Sequence, residues 1–320
     1  MMRAWSATAT VSNTEEEISA IQPPRIMLYS VPLVTTWVFD DTHRILFDAG
    51  DGVTAMLDAR IHRIRLVALT HAHRDHCAGL LQLLNLTGGS GEQSVVYPAG
   101  SGALKALSGF LCSFDARTTG KTTWVPMDAD IVHPIEPARH YVRSFPTQHY
   151  EPTTPPRTMS LGYQIVRSVD KLRPELVGLP REEVDRIRLR DGRQAITQTV
   201  EDILLSVTGD TIPIDPALVR GSRALLHECT FLEEEETRDM VNRGHPHSSL
   251  EDALLTAREA EVEHLGLYHI SRRYEDGRIL STVRDSCARL RIPCRVSVAL
   301  PGRLYDDLFS HTIWEGTDEP

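Results

Sequence analysis

The segment Thr70–His76, with the sequence THAHRDH, carries four side chains that can bind metal ions. His71, His73, Asp75 and His76 offer imidazole nitrogens and a carboxylate, which are the ligand types of zinc and similar first-row ions. A surface turn with incidental histidines would rarely combine three histidines and an aspartate at this spacing. The spacing therefore predicts a metal site, and the number and mix of ligands suit two adjacent ions.

Two predicted elements position this cluster. The residues before it, Leu66–Thr70, form a short apolar run of strand type, and the sequence AGLLQLL after Cys77 has the pattern of a helix. The cluster is therefore expected at a strand-to-helix turn, which would aim several side chains into one space.

The motif HxHxDH after an apolar strand resembles the signature of the metallo-β-lactamase superfamily. This resemblance implies an α/β fold, the αββα sandwich, with a dinuclear site at the strand ends. It also implies three further ligands downstream, each following a strand. The residues that fit are His149 after Val142–Thr147, Asp210 after Ile203–Val207, and His269 after Leu265–Tyr268. His133 and His140 compete with His149 for the first of these positions.

The resemblance also divides the ligands between two divalent ions. One ion would be held by His71, His73 and His149, the other by Asp75, His76 and His269, with Asp210 between them. Zinc fits these ligands, and manganese or iron stays open. Metal binding lowers the pKa of water to about 7, so a bridging hydroxide would be the nucleophile and Asp75 the general base.

Three later motifs resemble ribonuclease Z, the short form of tRNase Z. They are LLHECTF at Leu225–Phe231, GHPHSSLEDA at Gly244–Ala253 and HISRRY at His269–Tyr274. The resemblance implies endonucleolytic hydrolysis of precursor tRNA 3′ ends, and a homodimer. It also implies a general acid in the second motif, where His245 keeps the GH pairing and His247 the HS pairing. We prefer His247.

Further residues near these motifs are expected to support the chemistry. Those expected to grip the substrate phosphate, through hydroxyl and guanidinium donors, are Ser271, Arg273 and Tyr274. Asp48 closes an earlier strand and is expected to orient a ligating histidine. His227 and Glu228 end another strand, where they could support the ligands or only the strand itself.

Composition indicates one enzyme domain. With 320 residues, 41% of them hydrophobic, the chain can bury a large core. We expect a hydrolase domain over residues 25–314, between a polar extension at 1–24 and a charged tail at 315–320. The sequence has neither an apolar leader nor a membrane-length apolar run, and its five cysteines suit reduced thiols. These features predict a cytoplasmic protein that does not enter a membrane.

Charge complicates the choice of substrate. A net charge of −10 argues against RNA, because RNA-binding proteins neutralise phosphates with lysine and arginine. Residues 171–193 hold seven basic and five acidic residues without a glycine- and proline-rich arm tip, and Ser30–Phe39 lacks a glycine-rich turn. The alternative is therefore a small-molecule phosphodiesterase, esterase or lactonase on the same fold. A scaffold without turnover is disfavoured by the presence of Asp75 and Asp210.

Overall fold

A computed structural model describes residues 24–88, 93–114, 122–151, 154–244 and 246–317. Residues 1–23 and 318–320, which belong to the predicted extension and tail, lie outside the described residues, as does His245. The described chain divides into a larger unit, residues 24–167 with 202–317, and a smaller one, residues 168–201. The predicted domain limits at residues 24 and 315 stay predictions.

The described elements alternate between strands and helices in the manner of an α/β protein. The strands are β1 Ile26–Val31, β2 Thr35–Asp40, β3 Ile45–Phe47, β4 Leu66–Ala68, β5 Gln93–Pro98, β6 Thr122–Met127, β7 Val132–Ile135, β8 His140–Pro146, β9 Leu161–Leu172, β10 Thr197–Val207, β11 Ala224–Glu228, β12 His264–Tyr268, β13 Arg295–Val298 and β14 Thr312–Trp314. The helices are α1 Val53–Leu57, α2 Arg74–Cys77, α3 Leu80–Thr87, α4 Gly102–Phe114, α5 Arg181–Asp191, α6 Arg193–Ile196, α7 Glu234–Asn242, α8 Leu250–Glu259 and α9 Asp276–Leu290.

Among the residues described, the strands form two sheets. The first has the order β1-β2-β3-β4-β5-β6, and the second has the order β14-β13-β12-β11-β10-β9-β8-β7. Strands β3 to β6 run parallel, as do β10 to β13. Parallel neighbours end at the same edge of a sheet, so the segments that follow β3 and β4, and those that follow β10, β11 and β12, meet at shared edges.

Apolar side chains on both faces of each sheet explain the layers. Phe47 of β3 and Val142 of β8 belong to one buried cluster, which fills the space between the sheets. A second cluster joins the outer face of the first sheet to helices α1, α3 and α4, and a third joins the outer face of the second sheet to α8 and α9. This arrangement confirms the predicted αββα sandwich of the metallo-β-lactamase fold.

The smaller unit contains the outer part of β9, a 3-10 turn at Pro174–Leu176, helices α5 and α6, and the start of β10. None of the residues of α5 is buried, in agreement with the mixed charges that the sequence shows over residues 171–193. Its arginines are largely paired with acids of the same unit. The pairs are Arg173–Glu175, Arg181–Asp185, Arg188–Asp185, Arg190–Asp191 and Arg193–Asp170.

The helices of the described residues are short. None of them combines the length and the apolarity that crossing a lipid bilayer would require.

Candidate metal and catalytic centre

The structure places all seven predicted ligands at the strand ends that the sequence indicated. The HxHxDH segment follows β4 and enters α2, His149 follows β8, Asp210 follows β10, and His269 follows β12. Most of these side chains are buried, and His73 alone among the seven is exposed. The ends of these strands, in both sheets, therefore bring the imidazoles and carboxylates together in one place.

Asp210 lies at the centre of this group. Its Oδ2 atom is 3.4 Å from Nε2 of both His76 and His269. The same atom is 3.8 Å from Nε2 of His71 and 3.9 Å from Nε2 of His149. One carboxylate thus faces two pairs of imidazoles, which is the arrangement expected of a ligand that two ions share.

The remaining ligands complete two separate sets. Nδ1 of His73 lies 3.0 Å from Nε2 of His149, on the side of the first set. Oδ2 of Asp75 lies 3.7 Å from Nε2 of His76 and 3.8 Å from Nε2 of His269, on the side of the second. Within each set the candidate ligand atoms lie within 4.8 Å of one another. The geometry suits two neighbouring ions, divided as the sequence predicted.

Unsatisfied polar atoms provide an independent test of metal binding. Within the described part of the chain, Nε2 of His71, His76 and His269 and Oδ1 of Asp210 are buried without a hydrogen-bond partner. Buried polar atoms are nearly always paired in folded proteins, because an unpaired one costs free energy. Four such atoms around one point fit a site built for divalent cations.

The proton states of two imidazoles also favour metal binding. Burial lowers the pKa of His71 well below its usual value, and the neighbouring His76 lowers it further. Burial likewise lowers the pKa of His149 to about 4, against the opposing charge of Asp210. Neutral imidazoles keep a lone pair, so both residues can bind a cation at neutral pH.

Asp48 orients two of the candidate ligands by hydrogen bonds. Its Oδ2 atom accepts hydrogen bonds from Nδ1 of His76 at 2.7 Å and from the Thr70 hydroxyl at 2.8 Å, and Oδ1 accepts from the Thr70 amide. The Thr70 oxygen can then accept the Nδ1 proton of His71 at 2.9 Å. Both histidines therefore turn Nε2 toward the centre, as a second layer of hydrogen bonds does in metal sites.

The backbone of the centre adopts uncommon conformations. Asp48 and His269 have φ angles of 58° and 59°, in the left-handed region that side chains other than glycine seldom occupy. Gly209 has a φ of 66°, and a Cβ there would lie 2.5 Å from Cβ of Thr70. Glycine therefore permits a close backbone approach here, which brings Asp210 against the HxHxDH segment.

Thr230, to which the sequence analysis gave no role, links three site residues. Its hydroxyl lies 2.9 Å from Oε2 of Glu228, 3.0 Å from Nδ1 of His269 and 3.2 Å from Nδ1 of His247. A hydroxyl donates one hydrogen bond, so it donates to the carboxylate and accepts from imidazoles. The sequence signal for a role of Thr230 was its position in the motif HECTF, two residues after Glu228 at the end of β11.

His247 is held by Glu228. Nδ1 of His247 lies 2.8 Å from Oε1 of Glu228, which also accepts hydrogen bonds from the amides of Thr211 and Ser248. Burial opposes the charge on each residue, but their mutual attraction outweighs it. The pKa of His247 is raised to about 9, and the pKa of Glu228 is lowered. His247 is therefore a protonated imidazole at neutral pH.

His227 does not join the centre. Neighbouring residues of a strand point to opposite faces, so its side chain lies away from that of Glu228. Its Nδ1 atom donates to the backbone carbonyl of Glu228 at 2.7 Å, and burial lowers its pKa. Of the two residues at the end of β11, only Glu228 faces the candidate site.

Asp75 is an ionised carboxylate within the second ligand set. Burial alone would raise its pKa, but His269 and His76 outweigh that effect and lower the pKa to about 2. Its Oδ2 atom also accepts a hydrogen bond, 2.9 Å long, from the amide of Leu33 in the turn between β1 and β2. Asp75 is thus charged and firmly oriented at neutral pH.

The three predicted phosphate contacts have different surroundings. Arg273 is exposed, lies over the ring of Phe231, and donates to the Ser271 hydroxyl at 3.1 Å. Its nearest carboxylate, Glu236, is 3.8 Å away, a weak surface pair that a phosphate could displace. Tyr274 is buried, and its hydroxyl is engaged with Glu236 and with the amide of Leu232. The structure does not bring Tyr274 into the centre.

Comparison with known proteins agrees with this geometry. Residues 43–172 match the beta-lactamase superfamily domain. Ribonuclease Z of Metallosphaera sedula is 31% identical over 253 residues, which cover 72% of this chain and 80% of the relative. Ribonuclease Z of Ignicoccus hospitalis is 31% identical over 250 residues, covering 72% and 79%.

Solved structures share the fold. The metallo-beta-lactamase fold protein YhfI of Bacillus subtilis has a TM-score of 0.58 at 16% identity. The match covers 89% of this chain and 100% of YhfI. Human tRNase Z, short form, has a TM-score of 0.55 at 16% identity, covering 89% and 98%. Taken with the relatives above, these findings show a metal-dependent hydrolase. The chain belongs to the ribonuclease Z family of the metallo-β-lactamase superfamily.

Proposed function

We propose that this protein is a dinuclear phosphodiesterase that cleaves precursor tRNA at its 3′ end. The observation that carries the proposal is the position of Asp210, whose Oδ2 atom lies within 3.4 to 3.9 Å of four imidazole nitrogens. A carboxylate placed among four imidazoles would be shared by two divalent ions, which is the number that many phosphodiester hydrolyses use. The relatives named ribonuclease Z support RNA as the substrate.

The metal-binding residues would be His71, His73 and His149 on one side, Asp75, His76 and His269 on the other, with Asp210 between them. Zinc is the ion that imidazole and carboxylate ligands favour, with manganese or iron as alternatives. Two such ions would supply positive charge to the phosphoryl oxygens and make a water molecule more acidic.

Asp75 and His247 would move the protons. Asp75 is ionised and lies at the second ligand set, so it can accept the proton of the attacking water. His247 is protonated, and Glu228 holds its Nδ1 atom, which leaves Nε2 to donate a proton to the departing 3′ oxygen. One proton is taken up and one is given back, so the step balances.

Arg273 and Ser271 would bind a phosphate of the substrate. The guanidinium group lies over Phe231, whose ring centroid is 6.1 Å from that of His247. An arginine at this place can offer two parallel donors to phosphate oxygens near the proposed acid. Tyr274 has no free hydroxyl for such a contact, so its proposed role is to fix the position of the segment that carries Arg273.

A second candidate is the hydrolysis of a small diester or ester. It is favoured by the net charge of −10 and by the acid partners of the arginines in residues 168–201. Paired arginines release fewer counterions from RNA than free ones, which weakens electrostatic binding. The homodimer and the cytoplasmic location stay predictions from the family resemblance.

Cleavage of a 3′-extended precursor tRNA, beside bis(p-nitrophenyl) phosphate, separates the two candidates. Cutting of the precursor at the end of the acceptor stem supports the ribonuclease, and turnover of the small diester alone supports the second candidate. Asp75→Asn should lower both rates by about 10³-fold. Because p-nitrophenolate can leave without a proton, the acid is tested on the precursor: His247→Ala should lower its cleavage by about 10²-fold and His245→Ala much less, and the reverse ranking would move the acid to His245.

A further inference from the structure

Most histidines of the candidate metal centre are held from outside by a hydrogen bond. In four of the five candidate histidine ligands Nε2 faces the centre, and Nδ1 lies within hydrogen-bond distance of an oxygen atom. The pairs are His71–Thr70 at 2.9 Å, His76–Asp48 at 2.7 Å, His149–Pro246 at 2.8 Å and His269–Thr230 at 3.0 Å. Outer partners of this kind fix the ring of a metal-binding histidine, and their loss weakens metal binding.

His73 is the exception. Its Nδ1 atom faces Nε2 of His149, which is itself a candidate ligand atom, and within the described ranges its ring makes no outer hydrogen bond. His73 is also the exposed member of the first ligand set. An exposed imidazole without an outer partner can change its rotamer, so this ring needs another means of support if it is to bind an ion.

The ring of Tyr150 lies against this histidine. The two ring centroids are 5.3 Å apart and the planes are inclined by 59°, within the tilted arrangements that aromatic pairs favour. The Tyr150 ring also lies 6.2 Å from that of His71 and 5.5 Å from that of His149. Its hydroxyl accepts a hydrogen bond, 3.3 Å long, from the amide of Ala72, the residue between His71 and His73. Tyr150 therefore lies beside all three histidines of the first ligand set.

We propose that Tyr150 is a positioning residue, whose ring holds His73 in the orientation that binds the ion of the first ligand set. The inference rests on the proposed dinuclear site and deepens it, because Tyr150 then affects the binding of one ion and not of the other. Tyr150 directly follows His149, so the loop after β8 supplies one ligand and supports a second.

Zinc binding, measured by competition with a chromophoric chelator, tests the proposal without relying on activity. His73→Ala identifies which of the two binding steps belongs to the first ligand set. Tyr150→Leu removes the ring and should weaken that step by about tenfold or more, while the other step stays within about twofold of wild type. Tyr150→Phe keeps the ring and loses only a long hydrogen bond, so it should restore binding to within about threefold of wild type.

A double variant separates positioning from a general loss of structure. When His73→Ala is already present, Tyr150→Leu should change neither binding step further, because the ring then has no ligand to hold. Tyr29→Leu is the matched control, since Tyr29 is a half-buried tyrosine that stacks on Trp37, and it should leave both steps unchanged. Urea unfolding of each metal-free variant checks that it is folded.

Wild-type affinity for both ions in Tyr150→Leu would overturn the proposal, and so would an equal loss with and without His73. Failure of the proposed function would appear differently. It would be a wild-type protein that binds two zinc ions but hydrolyses neither precursor tRNA nor bis(p-nitrophenyl) phosphate.

Discussion

Nδ1 of His247 lies 2.8 Å from Oε1 of Glu228, and the two residues come from different motifs, one at the end of β11 and the other before α8. The carboxylate is fully buried and receives two backbone amides as well, so its position is fixed. The imidazole of His247 is therefore protonated, and its orientation is fixed. This pair explains how a histidine beside cationic ions could keep a proton to donate.

The first prediction concerns this pair. Glu228→Gln keeps the shape of the side chain but removes the charge, and should lower kcat for cleavage of a 3′-extended precursor tRNA, whose alkoxide leaving group needs a proton, by about tenfold or more. Adding the substitution to His247→Ala should cost little further activity, because the two residues act as one unit. Glu233→Gln, at an exposed acid before α7, is the control. Independent, multiplying losses would contradict the pairing.

The second prediction concerns Asp48, which orients His76 and, through Thr70, His71. Asp48→Asn tolerates the left-handed backbone and should weaken metal binding by about 10- to 100-fold while the protein stays folded. Metal competition with a chromophoric chelator measures this. Asp58 is an exposed aspartate that also has a positive φ, of 50°, and Asp58→Asn is the control. Equal affinities in all three proteins would remove Asp48 from the metal-binding account.

The third prediction concerns Gly209. An alanine there would combine a strained φ with a Cβ that overlaps Thr70, so Gly209→Ala should destabilise the metal-free protein by about 2 kcal/mol or more in urea unfolding. Gly109 of α4 has open space around it, and Gly109→Ala should instead stabilise by about 0.5 to 1 kcal/mol. A Gly209→Ala protein as stable as wild type would show that the approach to Thr70 is not tight.

The fourth prediction concerns acid stability away from the metal site. Burial, with a smaller contribution from Arg295, lowers the pKa of His264 to about 4, and its Nε2 atom pairs with Ser297. A lowered histidine pKa means that the unfolded chain takes up a proton first as the pH falls. The stability is therefore complete above pH 6.5 and decreases as the pH falls toward 4.

His264→Gln should remove this pH dependence. Between pH 7.5 and pH 5 the wild-type protein should lose about 2 kcal/mol of unfolding free energy more than the variant does, measured with a chelator present. The histidines of the metal site are identical in both proteins, so the difference reports His264 alone. Parallel losses in the two proteins would mean that His264 is not held neutral by the fold.

The strand-end positions of the candidate ligands could be predicted, because an apolar run followed by a histidine or an aspartate is visible locally; that these residues bind metal stays a prediction. The αββα sandwich followed from the same pattern and is confirmed. Glu228 and His227 could not be separated from the sequence alone, because only the alternation of β11 decides which of them faces the site.

Contacts between residues that are distant in the sequence could not be predicted. Leu33 contacts Asp75 through its backbone amide, and the sequence carries no local signal of that partner. Thr230 lies two residues after Glu228, but its contact with His269 depends on the fold. Tyr274 was expected at the phosphate, but a buried tyrosine and a phosphate-binding tyrosine look alike in sequence.

The most direct test of the account is a titration of metal-free protein with zinc, following bound metal and hydrolysis of bis(p-nitrophenyl) phosphate together. With Asp210 shared between two ligand sets, the activity should rise until two ions are bound per chain, and Asp210→Asn should hold fewer ions and show little activity. Full activity with one ion per chain, or two ions held equally well by Asp210→Asn, would contradict the shared site.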